Sequence, residues 1–195
     1  MKRRFWQVMS AVTLIVLVIG VQGTVRADNI DAVNEGFILK FNLRQSDITD
    51  LDFDIPIYGS GYNYNVDCNN DGVNEATGVT GSYSCVYSSS FGDKYIRISD
   101  NNGDGTGFPR LSFAGHHDAP AVQSIHQWGN LKWDSMYQAF KDCHDLSVDT
   151  SDDTPDLSNV TNMSGMFEGA SDFYTYGLQN WDTSNVTNMS NMFSG

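Results

Sequence analysis

The chain has 195 residues, 24 acidic against 11 basic side chains, and a formal charge of −13. Four of the basic residues and none of the acidic ones fall in the first 27 positions, so the remainder carries seven basic against 24 acidic groups, a formal −17. That balance argues against nucleic acid, whose phosphates need a basic surface, and against an anionic membrane face; the length leaves room for one or two domains with cores of their own.

Lys2, Arg3 and Arg4 precede a largely apolar run from Val8 to Val21, and Val25-Arg26-Ala27 places small residues at −3 and −1 of a cleavage point. This is the layout of a secretory signal peptide over 1–27, cut between Ala27 and Asp28. The apolar run is shorter than the ~20 residues a spanning helix needs. The expectation is an exported protein with no membrane insertion after signal removal. No cysteine stands near the cleavage point, which argues against a lipid anchor.

From about 36 to 115 the pattern is β. FILKFNL (Phe37 to Leu43), FDIPIY (Phe53 to Tyr58), YNYNVDC (Tyr62 to Cys68), SYSCVY (Ser82 to Tyr87), KYIRIS (Lys94 to Ser99) and RLSF (Arg110 to Phe113) alternate apolar and polar residues. Gly, Asn, Asp and Ser punctuate them, as between half-buried antiparallel strands. Six short strands at this spacing predict a β-sandwich over 28–115. Cys68 and Cys85 lie in two of these segments and can bridge neighbouring strands in an oxidising compartment. Cys143 remains, and its context marks it as a small buried apolar residue.

Two stretches share the pattern D-x-N-x-D-G: Asp67 to Gly72, and Asp100 to Gly105 with Gly103 before the second Asp. Alternating oxygen side chains with a glycine at the bend are how a loop wraps Ca²⁺. The ligands would be Asp67, Asn69, Asp71 and Glu75 in the first loop, and Asp100, Asn102 and Asp104 in the second. Gly78 and Leu111 stand where an EF-hand needs a bidentate Glu, so neither is an EF-hand. The plainer reading is a pair of hairpin loops that need no metal. No cofactor is required; Ca²⁺ is the ion these loops suit. His116-His117-Asp118 is too small a set for a zinc site in sequence alone. No nucleophile elbow, His-Glu-x-x-His helix or phosphate loop appears, so no enzyme is expected.

Residues 116–126, with Pro120, are predicted as a linker. Beyond it the chain repeats. DLSNVTNMSGMFEG begins at Asp156 and DTSNVTNMSNMFSG at Asp182. Val160, Met163, Met166 and Phe167 recur 26 positions later as Val186, Met189, Met192 and Phe193. Trp133, Met136, Phe140 and Cys143 precede Val160, Met163, Phe167 and Ala170 by 27. Trp133, Met136, Phe140, Val160, Met163, Met166, Phe167, Trp181, Val186, Met189, Met192 and Phe193 form the predicted repeat core. A period of this size means stacked coils, because one coil cannot bury its apolar face alone. Residues 147–156 read as a surface insertion, and Leu178 to Asp182 as the short strand of a coil. Tyr174 and Tyr176, in a loop between coils, are the candidates for ligand contact. The sequence ends in mid-repeat, which reads as a fragment of a longer protein.

WDTSNVTNMSNMFSG (Trp181 to Gly195) and WDSMYQAFKDCHDL (Trp133 to Leu146) resemble the repeats of the BspA-type leucine-rich-repeat surface proteins of bacteria. YNYNVDCNNDG, GVTGSYSCVY and KYIRIS are similar to the polycystic-kidney-disease-type β-sandwich that often precedes them, although Cys68-Asn69-Asn70-Asp71-Gly72 replaces its WGDG turn. The resemblance implies a mainly β chain: an N-terminal sandwich, then a right-handed leucine-rich-repeat-like solenoid of short strands and helical turns over 127–195. It implies a non-catalytic protein at the bacterial surface or outside the cell. The implied role is adhesion to a protein or glycan ligand on another cell or matrix. The alternatives are an accessory region of a secreted polysaccharide-acting enzyme, or a structural surface spacer.

Overall fold

A computed structural model describes residues 35–44, 51–150 and 153–195. The expected signal peptide and its cleavage point at Ala27 and Asp28 lie outside the described residues. Among the described residues there are nine short strands: β1 (Phe37–Phe41), β2 (Asp52–Asp54), β3 (Tyr64–Asp67), β4 (Ala76–Val79), β5 (Ser84–Val86), β6 (Lys94–Asp100), β7 (Val122–Gln127), β8 (Ser147–Asp149) and β9 (Tyr174–Tyr176). Seven form one mixed sheet in the order β4-β3-β6-β1-β7-β8-β9, while β2 and β5 pair as a separate ribbon. The chain is therefore mainly β.

β1 lies at the sheet's centre because FILKF is apolar on both faces; Phe37, Ile38, Leu39 and Phe41 are all buried. It pairs antiparallel with β6, Phe37 opposite Ile98 and Leu39 opposite Ile96, and antiparallel with β7 on its other side. From β7 onward the pairing becomes parallel, Ile125 opposite Val148 and Val148 opposite Thr175. Parallel neighbours need long crossovers, and residues 128–146 and 150–173 supply them.

The ribbon packs against the sheet through Phe53, whose ring stacks on Phe41 at 4.0 Å. Cys68, just past β3, is disulfide-bonded to Cys85 of β5 with Cα atoms 5.6 Å apart. This covalent tie joins ribbon and sheet at a second point.

Several strands differ from their sequence-based expectation. FDIPIY is extended strand only at its start, because Pro56 has no N–H to give a ladder. RLSF is not a strand: the Phe113 N–H donates to the Ala139 carbonyl at 3.1 Å, in the crossover above it. β4 has the sequence ATGV, too polar to show an alternation, and takes its position from pairing with β3. Residues 122–126, expected within a linker, are the body of β7. Pro120 sits in the short 3-10 turn Ala119–Ala121 that starts this strand rather than interrupting the chain. Among the described residues one sheet takes in strands from Phe37 to Tyr176, and one cluster of buried hydrophobic residues spans Phe37 to Trp181.

The crossovers lie on one another. In one interface the N–H groups of Met136, Gln138, Phe140 and Asp142 donate to the carbonyls of Asn162, Ser164, Met166 and Glu168 at 2.8–3.1 Å. In the next, Met163, Gly165, Phe167 and Gly169 donate to Asn188, Ser190, Met192 and Ser194 at 2.7–2.9 Å. Every second residue donates to a carbonyl in the next pass at a constant sequence offset, a one-way ladder of bonds that holds successive turns in register. Below the first interface, Lys132 and Asp134 donate to Gly105 and Pro109, both at 2.8 Å. The stack thus has four passes, and the lowest comprises residues 105–127.

Phe113, Phe140, Phe167 and Phe193 mark the same place in successive passes. Their rings stack at centroid distances of 6.1, 6.0 and 5.6 Å, with interplanar angles of 29°, 15° and 17°. Phe113 in turn lies 6.2 Å from Phe53. A Trp cluster flanks this column: Trp128 meets Trp133 at 6.0 Å and Trp181 at 5.2 Å, both edge-on. Each fully buried ring or Met side chain contributes roughly 1.5–3 kcal/mol.

Three outcomes follow for stability. Phe140→Ala removes the middle of the column and should cost about 3–5 kcal/mol in urea denaturation. Cys85→Ser should cost about 2–4 kcal/mol, because it frees the 17-residue separation closed by the bridge. Phe193→Ala should cost less than Phe140→Ala, since Phe193 is 57% exposed.

Candidate binding surface

The outward face of the parallel strands ends in two tyrosines. β9 alternates like any strand, so Thr175 turns toward Val148 while Tyr174 and Tyr176 turn outward. They are 55% and 58% exposed. Their rings stand perpendicular at 4.9 Å and the hydroxyls are hydrogen-bonded to each other. That hydrogen bond raises the Tyr174 phenol above its ordinary pKa, with small further contributions from burial and the neighbouring phenol. Phe173, just before them, packs on Phe167 at 4.4 Å, and the Tyr174 N–H donates to the Leu146 carbonyl at 3.2 Å. The pair was expected on a loop; it stands on a strand fixed from below. A rigid aromatic pair with polar tips suits stacking on a sugar ring or packing against a peptide.

The short strand expected at Leu178 to Asp182 is absent. Gly177 adopts φ 93°, a left-handed conformation that ends β9, and Leu178–Asn180 form a 3-10 turn. This bend carries Trp181 inward to Trp128.

Of the predicted repeat core, Trp133, Met136, Phe140, Val160, Met163, Met166, Phe167 and Trp181 are buried. Met189 is 43% exposed, Phe193 is mostly exposed, and Val186 and Met192 are half-buried. These four belong to the outermost described pass, which is covered on one side only among the described residues. Asn162 and Asn188 do the same work in successive passes. Each side-chain oxygen accepts the N–H and the hydroxyl of the Ser two residues on, Ser164 or Ser190, at 2.7–3.0 Å. Lys141 bridges two passes to Glu168 at 2.7 Å. Cys143 is buried, and that burial raises its thiol pKa well above the ordinary value.

The two acidic loops are closed by their own backbone. Asp67, buried at the end of β3, accepts the N–H groups of Asn69 and Asp71 on Oδ1 and of Gly72 on Oδ2, at 2.8–3.3 Å. Asp71 accepts from Val73, and Glu75 reaches back to the Cys68 N–H at 2.6 Å. Asp100 is more fully engaged. Its Oδ1 accepts from Asn102 and Gly107, and its Oδ2 from Asp104 and Gly105, at 2.7–3.1 Å. Those four bonds fill the acceptor directions of a carboxylate. Asp104 accepts the N–H and hydroxyl of Thr106, and the Asn102 amide donates to that hydroxyl. Gly107 must be glycine, since a Cβ would lie 2.1 Å from the Asn63 carbonyl oxygen. The second loop thereby lays residues 105–107 beneath Lys132, where the lowest pass begins. Its evident work is to turn β6 into that pass.

Among the described residues no helix is long and apolar enough to cross a membrane. Residues 121–195 match a family model described as Mycoplasma protein of unknown function, DUF285. No curated protein and no solved structure matches the chain. The matched segment begins at β7 and takes in all three upper passes, but not residues 105–120 of the lowest.

For Asp100, burial pushes the carboxyl pKa up, but backbone donors at Gly105, Asn102 and Gly107 outweigh it and hold it below the ordinary 3.8. A depressed folded pKa adds stability above the unfolded value, and that stability is lost as pH falls through the folded one. Asp100→Asn should therefore be less stable than the parent at pH 7, and the difference should shrink as pH drops below 3.8. Paired urea denaturation curves at pH 7 and pH 3 measure it.

Proposed function

We propose that this is a non-catalytic exported surface protein that binds a protein or glycan on another cell or matrix. The proposed instrument is a right-handed, leucine-rich-repeat-like solenoid, with the antiparallel strands covering its lower end. The observation that carries the reading is the constant-offset ladder, in which each upper pass sits in register on the one before it. Parallel crossovers take the right hand. The family model matched over 121–195 is associated with BspA-like surface repeat proteins, which supports the same reading. An extended repeated face suits many weak contacts that add through avidity when copies share a cell surface.

Within that face the tyrosine pair on β9 is the proposed contact point. Tyrosine gives large contact area at small entropic cost, and exposed aromatics with supported backbones are the usual anchors of such surfaces.

The test is binding of bead-displayed protein to immobilised matrix proteins and to a glycan array. The Tyr174→Ser/Tyr176→Ser double variant should bind its target on the order of tenfold or more weakly, with an unchanged unfolding curve. Equal binding by the double variant would remove the tyrosines from the contact. Failure of the parent to bind any protein or glycan, together with turnover of a polysaccharide, would overturn the non-catalytic reading itself.

A further inference from the structure

Asp54 and the His116-His117 pair are 62 positions apart in sequence and meet in the fold. Asp54 ends β2. The two histidines occupy the turn that leads into β7. One ring nitrogen of each and one carboxylate oxygen of Asp54 all lie within 4.8 Å of one another.

The backbone beneath this cluster is fixed from several directions. The His116 N–H donates to the Phe113 carbonyl at 2.8 Å, and the Ala119 N–H to the His116 carbonyl at 3.2 Å. The His116 ring stands edge-on to Phe113 at 5.8 Å and stacks on His117 at 4.8 Å. The fully buried Asp118 carboxylate accepts the Asp54 N–H at 2.8 Å, which holds the ribbon against the turn. Ser84 of β5 donates its hydroxyl to Asp54 Oδ1. The other oxygen, Oδ2, is the one that faces His117, 3.9 Å from its Nε2; Asp118 Oδ2 lies 3.4 Å from the same nitrogen.

From this arrangement we propose that Asp54, His116 and His117 form a binding site for a divalent transition-metal ion of the zinc type. Two imidazoles and one carboxylate are the donor set that such borderline ions take. Ca²⁺ and Mg²⁺ are poorly served, because they want six or more oxygens. Tetrahedral bonds of about 2.0–2.2 Å put ligand atoms roughly 3.3 Å apart, so closing on an ion asks for shifts of about 1 Å. The His117 side chain is 52% exposed and that of Asp54 35%, which leaves them room to move. Three protein ligands leave the fourth position to water. Ser84 is the outer group that orients the Asp54 carboxylate, as hydroxyls do behind metal ligands, while Asp118 holds the Asp54 backbone in place. A bound ion would join the β2–β5 ribbon to the turn that starts β7, cross-linking the segments that meet at Phe53 and Phe113.

The experiment is calorimetric titration of the chelator-stripped protein with ZnCl₂, with melting temperature read in parallel. The parent should take up one ion per chain and melt higher with zinc than without, because the ion binds only the folded state. Co²⁺ in its place should give the visible absorption of a tetrahedral site. His117→Ala and Asp54→Asn should each weaken uptake by on the order of tenfold or more, while melting like the parent in the absence of metal. His126→Ala, at an exposed position outside the cluster, should leave uptake unchanged. If His117→Ala does not fold, Asp54→Asn and His116→Gln carry the comparison. The proposal is overturned by a parent with no saturable uptake, by an unchanged isotherm in the cluster variants, or by loss in His126→Ala alone.

Discussion

The structure depends on one constraint: backbone groups of each pass must find their partners in the pass above, at the same place every time. The bond from the Phe140 N–H to the Met166 carbonyl has its counterpart in the bond from Phe167 to Met192. Buried amides cannot be left without acceptors, so the ladder fixes the rise between passes. That rise then sets the ring spacing in the phenylalanine column. Ladder and column are mutually reinforcing, since a slip of one residue would break the bonds and turn the rings outward together.

This explains why the repeats were legible in sequence. Val-x-x-Met-x-x-Met-Phe recurs because each residue packs on its own counterpart, and a pattern that packs on itself is periodic by construction. The lowest pass was not legible, for the same reason reversed. Phe113 stacks on Phe140 as Phe140 does on Phe167, yet its neighbours meet the antiparallel strands on the other side and carry no Met-Phe motif. Pro120 looked like a break because a proline before an apolar strand and a proline in a linker read alike. β4 was missed because half-exposed ATGV has no alternation to read. Asp54 was invisible as a partner of the histidines because only the docking of the ribbon brings it there.

The cysteines and the acidic loops show a different division of labour. The Cys68–Cys85 bridge and the stack of Phe41 on Phe53 tie the ribbon to the sheet at separate points. Asp67 and Asp100 gather backbone N–H groups and so turn the chain with little apolar surface to help. Both devices belong to the region below the repeats, where the core is shared among strands of different direction. Above it, repetition alone supplies order. The passes hold together mainly through backbone and apolar contacts, with Lys141–Glu168 and Arg110–Asp134 as ion pairs between them.

The strands and the rings count the chain differently. Ile125 to Val148 is a step of 23 residues and Val148 to Thr175 one of 27, while Phe113, Phe140, Phe167 and Phe193 step by 27, 27 and 26. The surplus collects at the corners that join the strands to the stacked rings. Corners can therefore lengthen, shorten or change composition without disturbing phase in the interior. A molecule built this way can diversify its outer contour rapidly by insertion and deletion while its buried pattern stays constant.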